Sequence, residues 1–364
     1  MPSVQSGKVL VSGANGFVAT WVVKSFLDAG FAVRGTIRSA AKGKHLEKIF
    51  GSYGDKFELV VVPDITATGA FDEAVKGVDA IAHTASPFHF AANDPAELSE
   101  PAVKGTVGML ESTRKHGKNV KRIVITSSAV AIMTAKDTAL DEYDWNNGAV
   151  QAVAEKGAAA GNFDKYCNSK VLAERSAWEF LDKYKNEVGW DVAALNPPLI
   201  LGPVLHEVSS PSELNTSTKM MFNAFTTEGS KTGGGQWADV KDVSRAHLLA
   251  ITRDLPEYVP LSAVNKAEGK NVNRFIIGGL GYAWQDMRAS AFTPFLCDTH
   301  TPTVDAAPAS ATHYQKGIPG SITSRPRDMD NRRAQEVLGI KFTSIQDTVG
   351  ETLEDYEAKG WVKA

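Results

Sequence analysis

The stretch Lys8-Val-Leu-Val-Ser-Gly13-Ala-Asn-Gly16-Phe-Val-Ala19, KVLVSGANGFVA, changes its period in mid-course. It begins as a short apolar run rich in valine, turns at two glycines, and leaves as an apolar helix running from Phe17 to Leu27. The run reads as a buried strand and the remainder as a strand-to-helix turn. In a G-x-x-G-x-x-A turn the glycines permit the tight bend and let backbone N–H groups approach a pyrophosphate, while the small third residue lets helix and strand pack closely. Gly13, Asn15, Gly16, Phe17 and Val18 are therefore candidates for binding a dinucleotide. The plain alternative is a glycine-rich joint that binds nothing.

Working outward, similar apolar runs recur: FAVRGTI near 31, FELVVV near 57, VDAIAHTA near 78, RIVITSS near 122 and WDVAALNPP near 190. Between them lie helix-like stretches, Lys42 to Phe50, Ala70 to Val75, Pro95 to His116 and Phe163 to Asn186. Strand alternating with helix predicts an α/β fold with a doubly wound parallel sheet, ligands binding at the carboxyl ends of the strands. Residues 1–196 should form the nucleotide-binding and catalytic domain, receiving roughly 236–253 as well, and 197–364 a smaller, mostly helical substrate-binding region. In that region SSPSELNTST near 209 and TEGSKTGGGQ near 227 read as loops, and NRFIIGG near 273 as a strand. DTHTPTVDAAPASATHYQKGIPG, from Asp298, reads as a long irregular segment, and NRRAQEVLGI and SIQDTVGETLEDYEAKGW as two closing helices.

Composition narrows the partners. The 364 residues are 43% hydrophobic, ample for a buried core, and 39 basic against 42 acidic side chains give a formal charge of −3. No broad cationic field exists for nucleic acid or an anionic membrane, so small molecules are the expected partners. The oligomeric state is not readable. Cys167 and Cys297 stand far apart in no redox or metal spacing, which fits a reducing, cytoplasmic setting, and no secretion signal or membrane span is read. No metal pattern surrounds His83, His89 or His247.

The end of the second strand distinguishes two cofactors. An acid there suits an unphosphorylated adenosine ribose, whereas Val33-Arg-Gly-Thr-Ile-Arg38-Ser39 contains none. A guanidinium grips phosphate oxygens through paired charge-assisted hydrogen bonds, so the expected cofactor is NADP(H), with Arg38 on the 2′-phosphate and Lys42 or Lys44 assisting. A solvated surface arginine is the alternative. Asp64, with Ile65 beside it, is placed to meet the adenine; a turn or helix-cap aspartate fits Asp64 equally well.

The fifth strand ends at Ser127-Ser128, and Phe163-Asp-Lys-Tyr166-Cys-Asn-Ser-Lys170 follows on a long helix. Positions four apart share a helix face, so Tyr166 and Lys170 point the same way. A nearby ammonium favours a phenolate and is expected to bring the tyrosine below its ordinary pKa of about 10, making it a usable acid near neutrality. A serine hydroxyl at the strand end would hold a carbonyl oxygen beside it; Ser128 is preferred, with Ser127 as the fallback. Each feature alone is commonplace, but their order along the chain is not.

That order resembles an extended short-chain dehydrogenase/reductase, a Rossmann-fold enzyme, and within it the group of dihydroflavonol reductases, cinnamoyl-CoA reductases and yeast-type aldehyde and ketone reductases. The matching stretches are VLVSGANGFVA, VRGTIRS, HTASPF from His83, PAVKGT from Pro101, RIVITSS, the tyrosine motif, LNPPLILGP from Leu195 and WADVKDVSRAH from Trp237. They cover roughly residues 8–250. The resemblance implies a catalytic triad of Ser128, Tyr166 and Lys170, with Tyr166 donating the proton as hydride arrives from the nicotinamide and Lys170 binding the nicotinamide ribose. It also implies that the loop Thr84, Ala85, Ser86 and Pro87 and the segment Asn196-Pro197-Pro198-Leu199 flank the nicotinamide.

Departures from the group refine the expectation. Cinnamoyl-CoA reductases carry a tryptophan before the tyrosine and an aromatic residue two after it, where this chain has Lys165 and Asn168, disfavouring a CoA thioester. Sugar-nucleotide dehydratases need an Asp-Glu pair after the strand-end hydroxyl, where Ala129 and Val130 stand. Phe222, Phe225, Trp237, Tyr282 and Trp284 make the C-terminal part more apolar than a nucleotide-sugar epimerase needs, although scattered aromatics are more often core. The expected activity is NADPH-dependent reduction of aldehydes or ketones, chiefly hydrophobic or aromatic ones and ketoesters. The alternatives are an NADP(H)-binding redox sensor without turnover and an epimerase of the same superfamily.

Overall fold

Each strand of the main sheet sends alternate side chains to opposite faces, and both faces are covered. In a computed structural model describing residues 3–86, 92–227, 233–292 and 326–362, the first strand is Lys8–Val11 (β1). Its Val9 and Val11 enter one core cluster while Leu10 enters the other, and all three are fully buried. Ala32–Ile37 (β2), Phe57–Val61 (β3), Ala80–His83 (β4), Arg122–Thr126 (β5) and Asp191–Asn196 (β6) follow. With Arg274–Ile276 (β9) they form a parallel sheet of seven strands in the order β3-β2-β1-β4-β5-β6-β9. The order reverses direction at β1 and β4, so the crevice for a dinucleotide opens above the carboxyl ends of these two strands.

The helices Phe17–Asp28 (α1), Lys44–Phe50 (α2) and Val240–Thr252 (α7) share the cluster with Val9 and Val11. Ala96–His116 (α3) and Asn162–Tyr184 (α5) cover the other face through Met109, Leu110, Ala177, Trp178 and Leu181. Burying a Val, Leu, Ile or Phe side chain fully contributes about 1.5–3 kcal/mol, and these two clusters supply most such residues. Beyond β6, Leu199–Leu201 (β7), Gly234–Asp239 (β8) and Leu280–Ala283 (β10) make a second sheet in the order β10-β8-β7. Thr216–Thr226 (α6), Trp284–Phe292 (α8) and Ile345–Ala358 (α9) accompany it.

Several segments differ from their sequence reading. The helix expected at Ala70 to Val75 is a run of turns: Phe71, Ala74 and Val75 are buried at helical spacing, but the stretch between left-handed Gly69 and Gly77 is too short to propagate a helix. Asn147–Lys156 (α4), not foreseen, starts on the Asn146 side chain, which accepts from the Ala149 N–H at 3.0 Å. The glycine-rich stretch from residue 227 enters β8 at Gly234 because Gly234 pairs with Ala283 of β10. The first closing helix shrinks to a π-type turn, Ala334–Leu338. The expected boundary at residue 196 is crossed by the main sheet, whose last strand, β9, lies well beyond it. The segment from Asp298 to residue 325, Cys297, Pro87 and His89 lie outside the described residues.

Candidate active site

At the carboxyl end of β1, Gly13 adopts φ +65°, a conformation that side chains rarely tolerate, and a Cβ there would sit 3.2 Å from the Ala85 Cβ. Its N–H donates to Thr36 Oγ1 at 3.0 Å and the Ala14 N–H to the Thr36 carbonyl at 2.8 Å, joining the turn to β2. Gly16 precedes α1 in an extended conformation with no side-chain cap. The first-turn N–H groups of Phe17 and Val18 have no acceptor among the described residues, as at an uncapped helix start. Asn15 is partly buried in the turn, Val18 partly buried, and the Phe17 ring is buried 5.5 Å from the His206 ring.

Ser12 ties this turn to β4. Its Oγ accepts from the N–H groups of Thr84 and Ala85, both at 2.9 Å, and lies 2.9 Å from His83 Nδ1. With both lone pairs taken, the hydroxyl donates to Nδ1, which places the His83 proton on Nε2. Burial pushes the His83 pKa down to about 4, with the Lys170 charge adding to it. His247 donates from Nδ1 to the Val243 carbonyl at 2.8 Å and accepts at Nε2 from Thr126 at 2.7 Å. Among the described residues no cluster of three or more His, Cys, Asp or Glu side chains suits a metal.

Arg38, just past β2, is exposed and makes no ion pair among the described residues; Lys42 and Lys44 are exposed nearby in the chain. Asp64 Oδ1 accepts from the Thr66 N–H at 2.8 Å and the Thr66 hydroxyl at 2.7 Å. These bonds hold the Asp64 carboxyl below its usual range, and the positive charge of Arg38 adds to them. Asp64 is thus a turn residue within the field of Arg38, with one carboxylate oxygen left over. Ile65 packs toward α3, where a Cβ on Gly105 would lie 3.1 Å from its Cδ1. An uncapped helix start, a close glycine turn and free cations in place of an acid together fit a phosphorylated dinucleotide.

At the carboxyl end of β5 the two serines separate. Ser128 Oγ accepts from the Val130 N–H at 3.3 Å, and its side chain lies near enough to the Tyr166 hydroxyl to favour the ionised phenol. Ser127 Oγ instead donates to Glu174 Oε2 at 2.5 Å. The Ala129 N–H donates to the Pro197 carbonyl at 2.9 Å, and Asn196 Nδ2 to the Ser128 carbonyl at 3.2 Å. Leu199, in β7, pairs with Trp237 of β8. Lys170 Nζ donates to Ser86 Oγ at 2.7 Å and stands 5.7 Å from the centroid of the Tyr166 ring. The loop after β4 is thereby joined to the tyrosine helix.

One electrostatic expectation is overturned. Burial drives the Tyr166 pKa above its ordinary value, and the nearby Ser128 side chain opposes that rise only in part. Tyr166 is 7% exposed, so its phenolate would lose most of its hydration, and the amine of Lys170 is turned onto Ser86. Burial likewise brings Lys170 down to about 8. The aromatic residues Phe225, Trp237, Tyr282 and Trp284, read as an apolar contribution to the substrate region, are buried in the core of the second sheet, with Phe222 packed against it.

Sequence reading missed Glu174 and Arg274. Glu174 Oε1 accepts from Arg274 Nε at 2.5 Å, and Oε2 also accepts from Asn196 Nδ2 at 2.8 Å. The available signal was spacing, since Glu174 follows Lys170 as Lys170 follows Tyr166. Lys165, noted only as a departure, is buried and donates to the carbonyls of Ala92 and Asn93 at 3.1 and 2.8 Å.

The NAD dependent epimerase/dehydratase family matches residues 9–259. The ketoreductase azaE of Aspergillus niger is 32% identical, over 95% of this chain and 96% of its own length. The NADPH-dependent methylglyoxal reductase GRE2 of Saccharomyces cerevisiae is 30% identical, over 94% of this chain and 96% of its own. The crystal structure of yeast methylglyoxal/isovaleraldehyde reductase Gre2 complexed with NADPH superposes with a TM-score of 0.76 at 29% identity, covering 97% of this chain and 99% of that one.

Proposed function

This chain belongs to the NAD dependent epimerase/dehydratase family, and we propose that within it the protein reduces hydrophobic or aromatic aldehydes, ketones and ketoesters to alcohols, using NADPH. It is an NADPH-dependent carbonyl reductase of the extended short-chain dehydrogenase/reductase type. The observation that carries the site assignment is the approach of the Ser128 hydroxyl to the Tyr166 phenol, one helical turn from Lys170.

The first turn of α1, beginning at Gly16, would hold the pyrophosphate, and Arg38 with Lys42 or Lys44 the 2′-phosphate. Asp64 and Ile65 would border the adenine. Thr84, Ala85, Ser86, Pro197 and Leu199 would flank the nicotinamide, with Lys170 on its ribose. NADPH, when bound, supplies the hydride that adds to the carbonyl carbon.

The protein's part is the proton and the geometry. Because burial keeps Tyr166 a neutral phenol throughout the physiological range, its proton is present when needed. An alkoxide is a stronger base than a phenolate, so transfer from Tyr166 Oη to the former carbonyl oxygen runs downhill as negative charge develops there. Ser128 donates to that same oxygen and holds it beside the phenol. Lys170, its amine bonded to Ser86, would hold the nicotinamide ribose and so keep the transfer in line. The carbon gains the hydride and the oxygen the proton, completing the alcohol.

A reducing, cytoplasmic setting fits the free, buried Cys167, whose thiol burial pushes up to about 12. Among the described residues no helix is long and apolar enough to cross a membrane. NADPH absorbance followed with aromatic aldehydes, β-ketoesters and diketones tests the substrate class. Consumption with several of them is expected. Binding of NADPH with no consumption by any carbonyl compound would instead favour a sensor.

A further inference from the structure

We infer that Glu174 is a positioning residue for the reduction, fixing the Ser128 peptide in register with Tyr166; the inference rests on the assignment of Ser128 and Tyr166 to the chemistry. Tyr166, Lys170 and Glu174 occupy successive turns of one face of α5, and all three are buried. Tyr166 reaches Ser128, Lys170 reaches Ser86, and Glu174 reaches the residue immediately before Ser128.

The Glu174 carboxylate collects four donors. Oε2 takes the Ser127 hydroxyl at 2.5 Å and Asn196 Nδ2 at 2.8 Å; Oε1 takes Arg274 Nε at 2.5 Å and Trp178 Nε1 at 3.3 Å. Two of these belong to the main sheet and a third directly follows one of its strands: Asn196 ends β6, Arg274 opens β9 and Ser127 follows β5. Asn196 Nδ2 also donates to the Ser128 carbonyl at 3.2 Å, so the serine peptide is held from both sides. One buried anion thus joins the helix that carries the acid to the strand ends that carry the hydroxyl.

A purely stabilising role fits less well. Buried ion pairs often give no more stability than well-packed apolar side chains of the same volume, so stability alone does not account for this one. The same two strands carry such a pair at their other end, Arg122 to Asp191 at 2.7 Å, far from any catalytic candidate. That pair caps the C-terminus of α7 through the Ala250 and Arg253 carbonyls, whereas the Glu174 pair grips the serines. Because phenol and hydroxyl must converge on one oxygen, slack of about 1 Å between helix and strand costs about a hundredfold in rate.

The test places Glu174→Gln and Ser127→Ala in the full-length protein, alone and together with Ser128→Ala, and reads kcat and KM from NADPH consumption. Each single change is expected to lower kcat about tenfold to a hundredfold with KM for NADPH unaltered. Neither should lower kcat further once Ser128 is already alanine, since a residue that acts through the serine loses its effect with it. Ser127→Ala deletes a single hydroxyl and reads the same coupling should Glu174→Gln fail to fold. Losses that multiply in the Ser128→Ala background, or full kcat in the folded single variants, overturn the role. Unchanged turnover in Ser128→Ala alone overturns the underlying assignment, and the inference with it.

Discussion

The two ends of the crevice are built from opposite materials. On the nucleotide side the groups offered are main-chain N–H donors at the start of α1 and the exposed cations Arg38, Lys42 and Lys44. On the catalytic side every candidate is a buried side chain engaged with another: Lys170 bonds to Ser86 and Ser127 to Glu174, while Ser128 lies beside Tyr166. The first arrangement tolerates variation in side chains and depends on backbone shape. The second depends on hydroxyls and charges whose energies are set by how little water reaches them.

The sharpest way to break the contrast is Tyr166→Phe, which removes one oxygen from the catalytic side. Turnover should fall about 10²–10⁴-fold while NADPH affinity, read by fluorescence titration, stays put. Retained turnover would move the acid elsewhere. A second effect concerns Glu142, a buried carboxyl that accepts from the Ile276 N–H at 3.2 Å and that burial pushes up to about 7. Its folded pKa lies above the unfolded value, so the native state holds the proton more tightly between about 4.5 and 7, and stability is lost as pH rises through that window. Glu142→Gln should flatten this slope, worth about 3 kcal/mol, in urea melts at pH 5 and pH 7.5; an unchanged slope would assign it to other groups.

On the nucleotide side effects should be smaller and of another kind. Arg38→Asp should weaken NADPH by about tenfold to a hundredfold, the loss of a charge-assisted contact, and leave NADH nearly unchanged. An unaltered preference would place the phosphate clamp on other residues. Smallest of all, raising salt from 50 mM to 500 mM should weaken NADPH binding by about a fewfold through screening of exposed cations. The kcat at saturating cofactor should not move, because the charges of the candidate site, Lys170 and Glu174, are buried.

What the sequence made legible follows the same division. The turn at Gly13 and Gly16, the missing acid before Ser39 and the Tyr166 to Lys170 spacing are local patterns, and each marks a local backbone shape or helix face. The choice between Ser127 and Ser128 is not local, because it turns on Glu174, a partner from a different element. The direction of the Tyr166 shift was misread for the same reason: its ammonium neighbour is visible in the motif, but its burial is made by Ala92, Leu98 and Val130, which approach only in the fold. Strand β9 was legible as a strand from NRFIIGG, while its place beside β6 was not, since an edge position leaves no mark in three residues.

The knot at Ser12 has a kinetic consequence. One hydroxyl receives the Thr84 and Ala85 amides and donates to His83, so the carboxyl ends of β1 and β4 cannot part without breaking three hydrogen bonds together. The amide protons of Thr84 and Ala85 should accordingly be among the slowest in the protein to trade with deuterium, despite ending a strand. Whatever admits the nucleotide must then swing around this seam instead of opening it.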